Sequence, residues 1–401
     1  MKLPVGWRKI KLKDCGKWLG GATPSKDKAS FWNGDIPWAS SQDIKSRTLK
    51  STTYSITVEG LNNSSSNLIP VNSLLMVTRS GILRHTFPVS KTLFPVAINQ
   101  DIKALIPHIE FSTDYIQALL SVDNVNILKL CSKVGTTVES IEYDALRSYL
   151  LLFPPLPEQR RIAEFLGTWD EAIEKLERLI EAKEKRLSWI RANILTGKVR
   201  INGFSSKWKQ IIFLEIASRV TRSVGKARVA PVSISAGKGF VLQEEKFGRN
   251  IAGKQYSKYT LLFPEEFTYN KGNSKTYECG CVYQWRGKAP VAVPNVFVSF
   301  SLNAKLADAR FISHFFEADL HANELRKFIN SGVRNDGLLN VTPDCFFKII
   351  LSLPELPEQK AIANILDTTS QEIDILRAEL IMFQKQKRGL MQKLLTGTWR
   401  V

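Results

Sequence analysis

The stretch PPLPEQRRIAEFL at residues 154–166 returns as PELPEQKAIANIL at residues 354–366, and LTGKVR at 195–200 returns as LTGTWR at 395–400. Both returns are offset by 200 residues, so two 47-residue segments align without a gap and share 16 identities, gathered at their ends. Self-similarity at a fixed offset marks a duplicated structural unit. It leaves residues 1–153 and 201–353, two stretches of equal length, and the chain reads as domain (1–153), spacer helix (154–200), domain (201–353), spacer helix (354–401).

Each repeated segment carries its own helix signals. Pro157 before Glu158 and Gln159, and Pro357 before Glu358 and Gln359, suit a helix start, where a missing N–H costs nothing and an acidic side chain meets the helix dipole. Gly197 and Gly397 are placed as left-handed caps. Between them, steps of three and four pick out Leu166, Trp169, Ile173, Leu176, Ile180, Lys183, Leu187, Ile190 and Ile194. The second copy yields Leu366, Thr369, Ile373, Leu376, Leu380, Phe383, Lys387, Leu390 and Leu394. Fifteen of these eighteen are apolar, a coiled-coil seam rather than the broad face of a globular helix. A helix of roughly 38 residues is about 57 Å long, and each copy is the natural partner of the other.

The 401 residues carry 56 Lys+Arg against 38 Asp+Glu, a net charge of +18, with 44% hydrophobic residues. The chain therefore builds real cores and expects a polyanionic partner. Of the excess charge, +6 falls in 1–153 and +9 in 201–353, while the spacer segments hold only +2 and +1. Membrane binding would concentrate the charge on an amphipathic helix, so nucleic acid leads. No run of about 18 apolar residues and no secretory leader pattern is present, and the reading is a soluble cytoplasmic protein. Five scattered cysteines and four unclustered histidines offer no metal ligand set.

Both domains mix strand and helix patterns, an α+β class. Residues 74–77, 94–98 and 296–298 read as strands, 114–120 and 308–329 as helices. Candidate DNA-binding residues sit in turns with glycine and basic or hydroxyl neighbours: Thr23, Ser25, Lys26, Arg79, Ser80 and Arg84 in the first domain, and Lys226, Arg228, Lys271, Asn273, Lys275 and Arg334 in the second. Trp32, Trp38 and Trp285 suit core packing better than base stacking. A P-loop, a dinucleotide fingerprint and a nucleophile elbow are all missing from the sequence. Asp344, Glu358 and Lys360 have the spacing of a metal-dependent nuclease, but two of them lie in the repeated helix start. A nuclease and a non-catalytic RNA-binding scaffold are the alternative functions.

The paired LPEQ…LTG segments, the seams between them, and Gly20-Gly21-Ala22-Thr23-Pro24-Ser25 followed by Phe31-Trp32-Asn33-Gly34-Asp35-Ile36-Pro37-Trp38 resemble the specificity subunit of type I restriction-modification systems. The resemblance implies two target-recognition domains spaced by an antiparallel coiled coil, and no catalysis by this chain. It further implies two adenine methyltransferase subunits using S-adenosylmethionine, docked on the helices, and restriction subunits using ATP and Mg, with no cofactor or metal on this chain. The expected target is double-stranded DNA with a bipartite, asymmetric site, one half read by each domain. The second domain lacks the first one's Gly-Gly-Ala-Thr-Pro-Ser and Trp-Asn-Gly-Asp stretches, so its reading loops do not follow from sequence.

Overall fold

The computed structural model describes residues 3–133, 138–248, 253–272, 277–329 and 339–401. Its principal helices are α1 (Thr113–Val122), α2 (Leu156–Ile194), α3 (Ala309–Glu317) and α4 (Leu356–Leu394). The chain forms two compact units, the first of Met1–Glu177 with Ala378–Val401 and the second of Arg178–Arg377. Each unit thus takes one globular domain, part of α2 and part of α4.

In the first unit a five-stranded sheet runs in the order Gly16–Gly20, Ile102–Pro107, Leu74–Val77, Val89–Thr92, Thr48–Leu49. Its strand Leu74–Val77 is apolar throughout because both faces are covered. Leu74 and Met76 join the core containing Tyr115, Ile116 and Leu119 of α1, whereas Leu75 and Val77 join Val96 and Ile98 of a second sheet. That second sheet has the order Tyr54–Ile56, Trp32–Ala39, Val96–Ile98, Leu68–Ile69, with a parallel pair at its centre.

The second unit repeats this plan with four strands in each sheet. One sheet is Ala217–Arg219, Val298–Leu302, Phe267–Asn270, Cys281–Gln284, and the other Gly239–Leu242, Ala230–Ser235, Val291–Val293, Thr260–Leu262, again with a parallel central pair. Its core is aromatic, with Tyr269 stacked on Phe346 at 4.5 Å and Phe267 on Phe300 at 5.2 Å. Two expectations change here. The helix expected over 308–329 is divided into α3 and Ala322–Arg326, because Asp319 between them takes a left-handed φ of 55°. The strand expected at 296–298 begins only at Val298, since Pro294 opens a turn in which Phe297 N–H donates to the Pro294 carbonyl at 3.1 Å.

The repeated motifs hold these units closed. In the first, the Glu158 carboxylate takes a bidentate Arg400 fork at 2.5 and 2.7 Å. In the second, Glu358 takes Arg200 at 2.7 and 2.8 Å. The start of each copy is therefore locked by the end of the other. Gln159 Oε1 accepts from Ser112 N–H, just before α1, while its Nε2 donates to the Pro154 carbonyl; Gln359 does the same to Asp308, just before α3, and Pro354. Gly197 and Gly397 are left-handed at φ 69° and 73°, and a Cβ on either would stand 3.3 Å from the ring of Trp208 or Trp7 respectively.

None of the eighteen seam positions is exposed. Leu166, Ile180, Leu187, Leu366 and Ile373 are buried, and Trp169, Ile173, Leu176, Leu376, Leu380, Phe383 and Leu390 are half-buried. Within the first unit Trp169 meets Phe383 edge-on at 5.7 Å and Lys387 pairs with Asp170. Within the second, Lys183 pairs with Glu372 at 2.6 Å and Arg377 with Glu184. The helix segments in each unit run antiparallel, since lower-numbered residues of α2 meet higher-numbered residues of α4.

Candidate nucleic-acid interface

The common strand order shows which loops of the two units correspond. The loop entering the first strand of the second sheet is 21–31 in one unit and 220–229 in the other; it carries Thr23, Ser25 and Lys26 in the first and Lys226 and Arg228 in the second. The loop leaving the strand Leu74–Val77 carries Arg79, Ser80 and Arg84, and its counterpart after Phe267–Asn270 carries Lys271. Asn273 and Lys275 belong by sequence to that same connection but, like Arg334, lie outside the described residues. Candidates chosen separately in the two domains thus fall on corresponding loops, and the missing glycine-rich stretch of the second domain is replaced by a different sequence in the same place.

In the first unit, indole N–H groups pin the first loop. Trp38 Nε1 donates to the Ala22 carbonyl at 3.1 Å and Trp32 Nε1 to the Ser25 carbonyl at 3.0 Å, while the two rings meet edge-on at 5.3 Å. These tryptophans support the loop. Gly21 is required where it stands, because a Cβ there would fall 1.9 Å from the Ile98 carbonyl oxygen. Thr23 Oγ1 donates to Gln100 Oε1 at 2.7 Å. The turn holding Gln100 is joined on its other side to the second loop, because the Asp101 carbonyl accepts from Thr78 N–H at 2.8 Å and Arg79 N–H at 3.3 Å. Thr23, Lys26, Asn33, Gln42, Gln100 and Asp101 consequently rim one open cleft of about 730 Å³, floored by Trp32, Trp38 and Tyr54.

The basic candidates divide by what already holds them. Lys26, Arg79, Lys226 and Arg228 are exposed and make no ion pair among the described residues. Ser25 is exposed, and Ser80 caps the short helical turn Gly81–Arg84 by accepting from Ile82 N–H. Arg84 is neutralised by Glu139, whose carboxyl its hydrogen bond holds below the ordinary range. Lys271 Nζ donates to the Val341 carbonyl at 3.4 Å and its own carbonyl accepts from Leu339 N–H, so it fixes the base of its loop. Sequence reasoning did not select Gln42 or Gln100, which also line the cleft, because isolated amides carry no motif. Glu358 is fully engaged with Arg200, so of the nuclease triplet its carboxylate is spent on structure. Among the described residues no group of three His, Cys, Asp or Glu could hold a metal ion, and no helix is long and apolar enough to cross a membrane.

Residues 4–184 match the model of the type I restriction modification DNA specificity domain. The specificity subunit of an Escherichia coli type I restriction enzyme is 38% identical over 192 residues, covering 47% of each chain. A specificity subunit from Methanocaldococcus jannaschii is 26% identical over 187 residues, 46% of this chain and 42% of that one. The matches span about half the length of these curated relatives. Among solved structures, the S subunit of a type I restriction-modification system from M. genitalium superposes with a TM-score of 0.58 at 14% identity, covering 98% of both chains. That likeness is one of fold.

Proposed function

We propose that the chain is a specificity subunit of a type I restriction-modification system, a reading supported by the match of residues 4–184 to that family's DNA specificity domain and by the likeness to such subunits, and that it is the non-catalytic reader of a bipartite, asymmetric double-stranded DNA site. Each domain reads one half, and the spacer helices set the unread gap between them. Partner adenine methyltransferase subunits dock on the helices and supply S-adenosylmethionine chemistry. Restriction subunits, where present, supply ATP- and Mg-dependent cleavage. The site of action is the cytoplasm, where the DNA is.

The observation that carries this reading is the pairwise correspondence of the loops. Two domains of one fold place exposed cations on the same connection, Lys26 in one and Lys226 and Arg228 in the other. Lysine and arginine there position phosphates and make affinity fall with salt, while neighbouring polar side chains choose bases at about 1–3 kcal/mol per well-read base. Two different loop sequences on one scaffold give two different half-sites. The test is to co-express the chain with its methyltransferase subunit and map modified bases across a genome. A split motif with a fixed gap, methylated only when this chain is present, is expected. Replacing residues 201–353 by another such domain changes one half alone, and a change in both halves would sink the two-reader model.

A further inference from the structure

The turn between the strands Val96–Ile98 and Ile102–Pro107 closes when Ile102 N–H donates to the Asn99 carbonyl, which places Gln100 second in the turn. In the other unit the corresponding turn, between Val291–Val293 and Val298–Leu302, closes when Phe297 N–H donates to the Pro294 carbonyl. Its second residue is Asn295. Two domains with little sequence in common therefore each present an exposed carboxamide at the same position of the same turn.

Resting on the function proposed above, we infer that Gln100 and Asn295 are specificity-determining residues, each reading the major-groove edge of an adenine in its own half-site. A carboxamide offers one donor and one acceptor side by side, which matches adenine N7 and N6–H₂ and no other base edge in the major groove. Gln100 is prepared for this. Thr23 Oγ1 donates to its Oε1, which restricts the side chain yet leaves a second lone pair on that oxygen and both Nε2 hydrogens unspent.

The turn beneath it is rigid. Asn99 is buried, its Oδ1 accepts from Asp101 N–H at 3.1 Å, and its own N–H donates to the Ala39 carbonyl at 3.0 Å. Lys26 lies on the rim of the same cleft, and Arg79 is bonded through its N–H to Asp101 beside Gln100. One cation thus shares the cleft with the amide and another stands on the loop bonded to its turn, and both are suited to phosphates beside the base that is read. Asn295 is exposed and its amide makes no hydrogen bond among the described residues, on a turn closed at the Pro294 carbonyl.

The test selects DNA from a library randomised across the site, using the complex of this chain with its methyltransferase subunit. Wild type is compared with Gln100→Ala, Gln100→Glu and Asn295→Ala. Each alanine variant is expected to lose tenfold or more of the preference for A at one position of one half, leaving the other half intact. Gln100→Glu is expected to shift that position toward C, whose N4 is a donor only. Unchanged base preferences in all three variants, with the wild-type complex selective, would overturn the inference. A wild-type complex without any sequence preference would instead overturn the proposed function.

Discussion

Removing the arginine from one of the two helix locks tests why LPEQ and LTG…R recur together. Arg200 engages both oxygens of Glu358 at 2.7 and 2.8 Å, with the glutamate side chain 2% and the arginine 28% exposed. Breaking a fully buried ion pair on one side costs ~3–5 kcal/mol, because the remaining charge is stranded. Here Arg200 is partly solvated, and the stranded carboxylate would lie in the first turn of α4, where the helix dipole returns ~0.3–1 kcal/mol. Arg200→Met is therefore expected to destabilise the second unit by about 2–3 kcal/mol. Some of that loss is unrelated to the pair, since Arg200 also donates to the Ser206 carbonyl and lies 5.9 Å from the Trp208 ring. A double-mutant cycle with Glu358→Gln removes those contributions. In the methionine background the glutamate has lost the guanidinium that both its oxygens engage, so a coupling of about 1–2 kcal/mol is expected from urea unfolding. A coupling within about 0.5 kcal/mol of zero, the noise of such cycles, would refute the lock.

Gly197→Ala places a side chain at φ 69° against the Trp208 ring and is expected to cost about 1–2 kcal/mol of unfolding free energy from backbone strain, whereas Gly167→Ala, at a helical position facing open space, should not destabilise. An equal effect at both would show that the left-handed cap carries no strain. Trp38→Phe keeps an aromatic side chain but removes the indole N–H that bonds Ala22 together with part of a buried ring; at least about 1 kcal/mol of stability is expected to go with the hydrogen bond alone, with faster amide exchange over residues 20–26. His321 is wholly buried between Tyr269 and Phe316, and burial holds its pKa down to about 3 against an ordinary 6.5. The unfolded chain takes up the proton first, so as pH falls from 6.5 toward 3 the group withdraws about 1.4 kcal/mol of stability per pH unit. The difference in unfolding free energy between wild type and His321→Phe should show that slope below pH 6.5 and be level above it.

The repeat, the helices and the seam were legible in the sequence because each is a local or periodic signal: a proline and acid at the start, a left-handed glycine at the end, and apolar residues every three or four positions between. Burial follows that period even at Lys183 and Lys387, which keep their seam places by pairing with Glu372 and Asp170. The reason for the matching ends was not legible, since the partners Glu158 and Arg400 lie 242 residues apart and Glu358 and Arg200 lie 158 apart. Nor was the break at Asp319 in the helix expected over 308–329, which depends on one backbone angle. Composition placed the positive charge on the two domains, but charge has no direction, and only the strand order showed that Lys26 and Lys226 occupy the same loop. Gln100 and Asn295 bear no charge, motif or periodicity. Their common position exists only in the folded turns, where hydrogen bonds between residues three apart set which side chain stands at the tip.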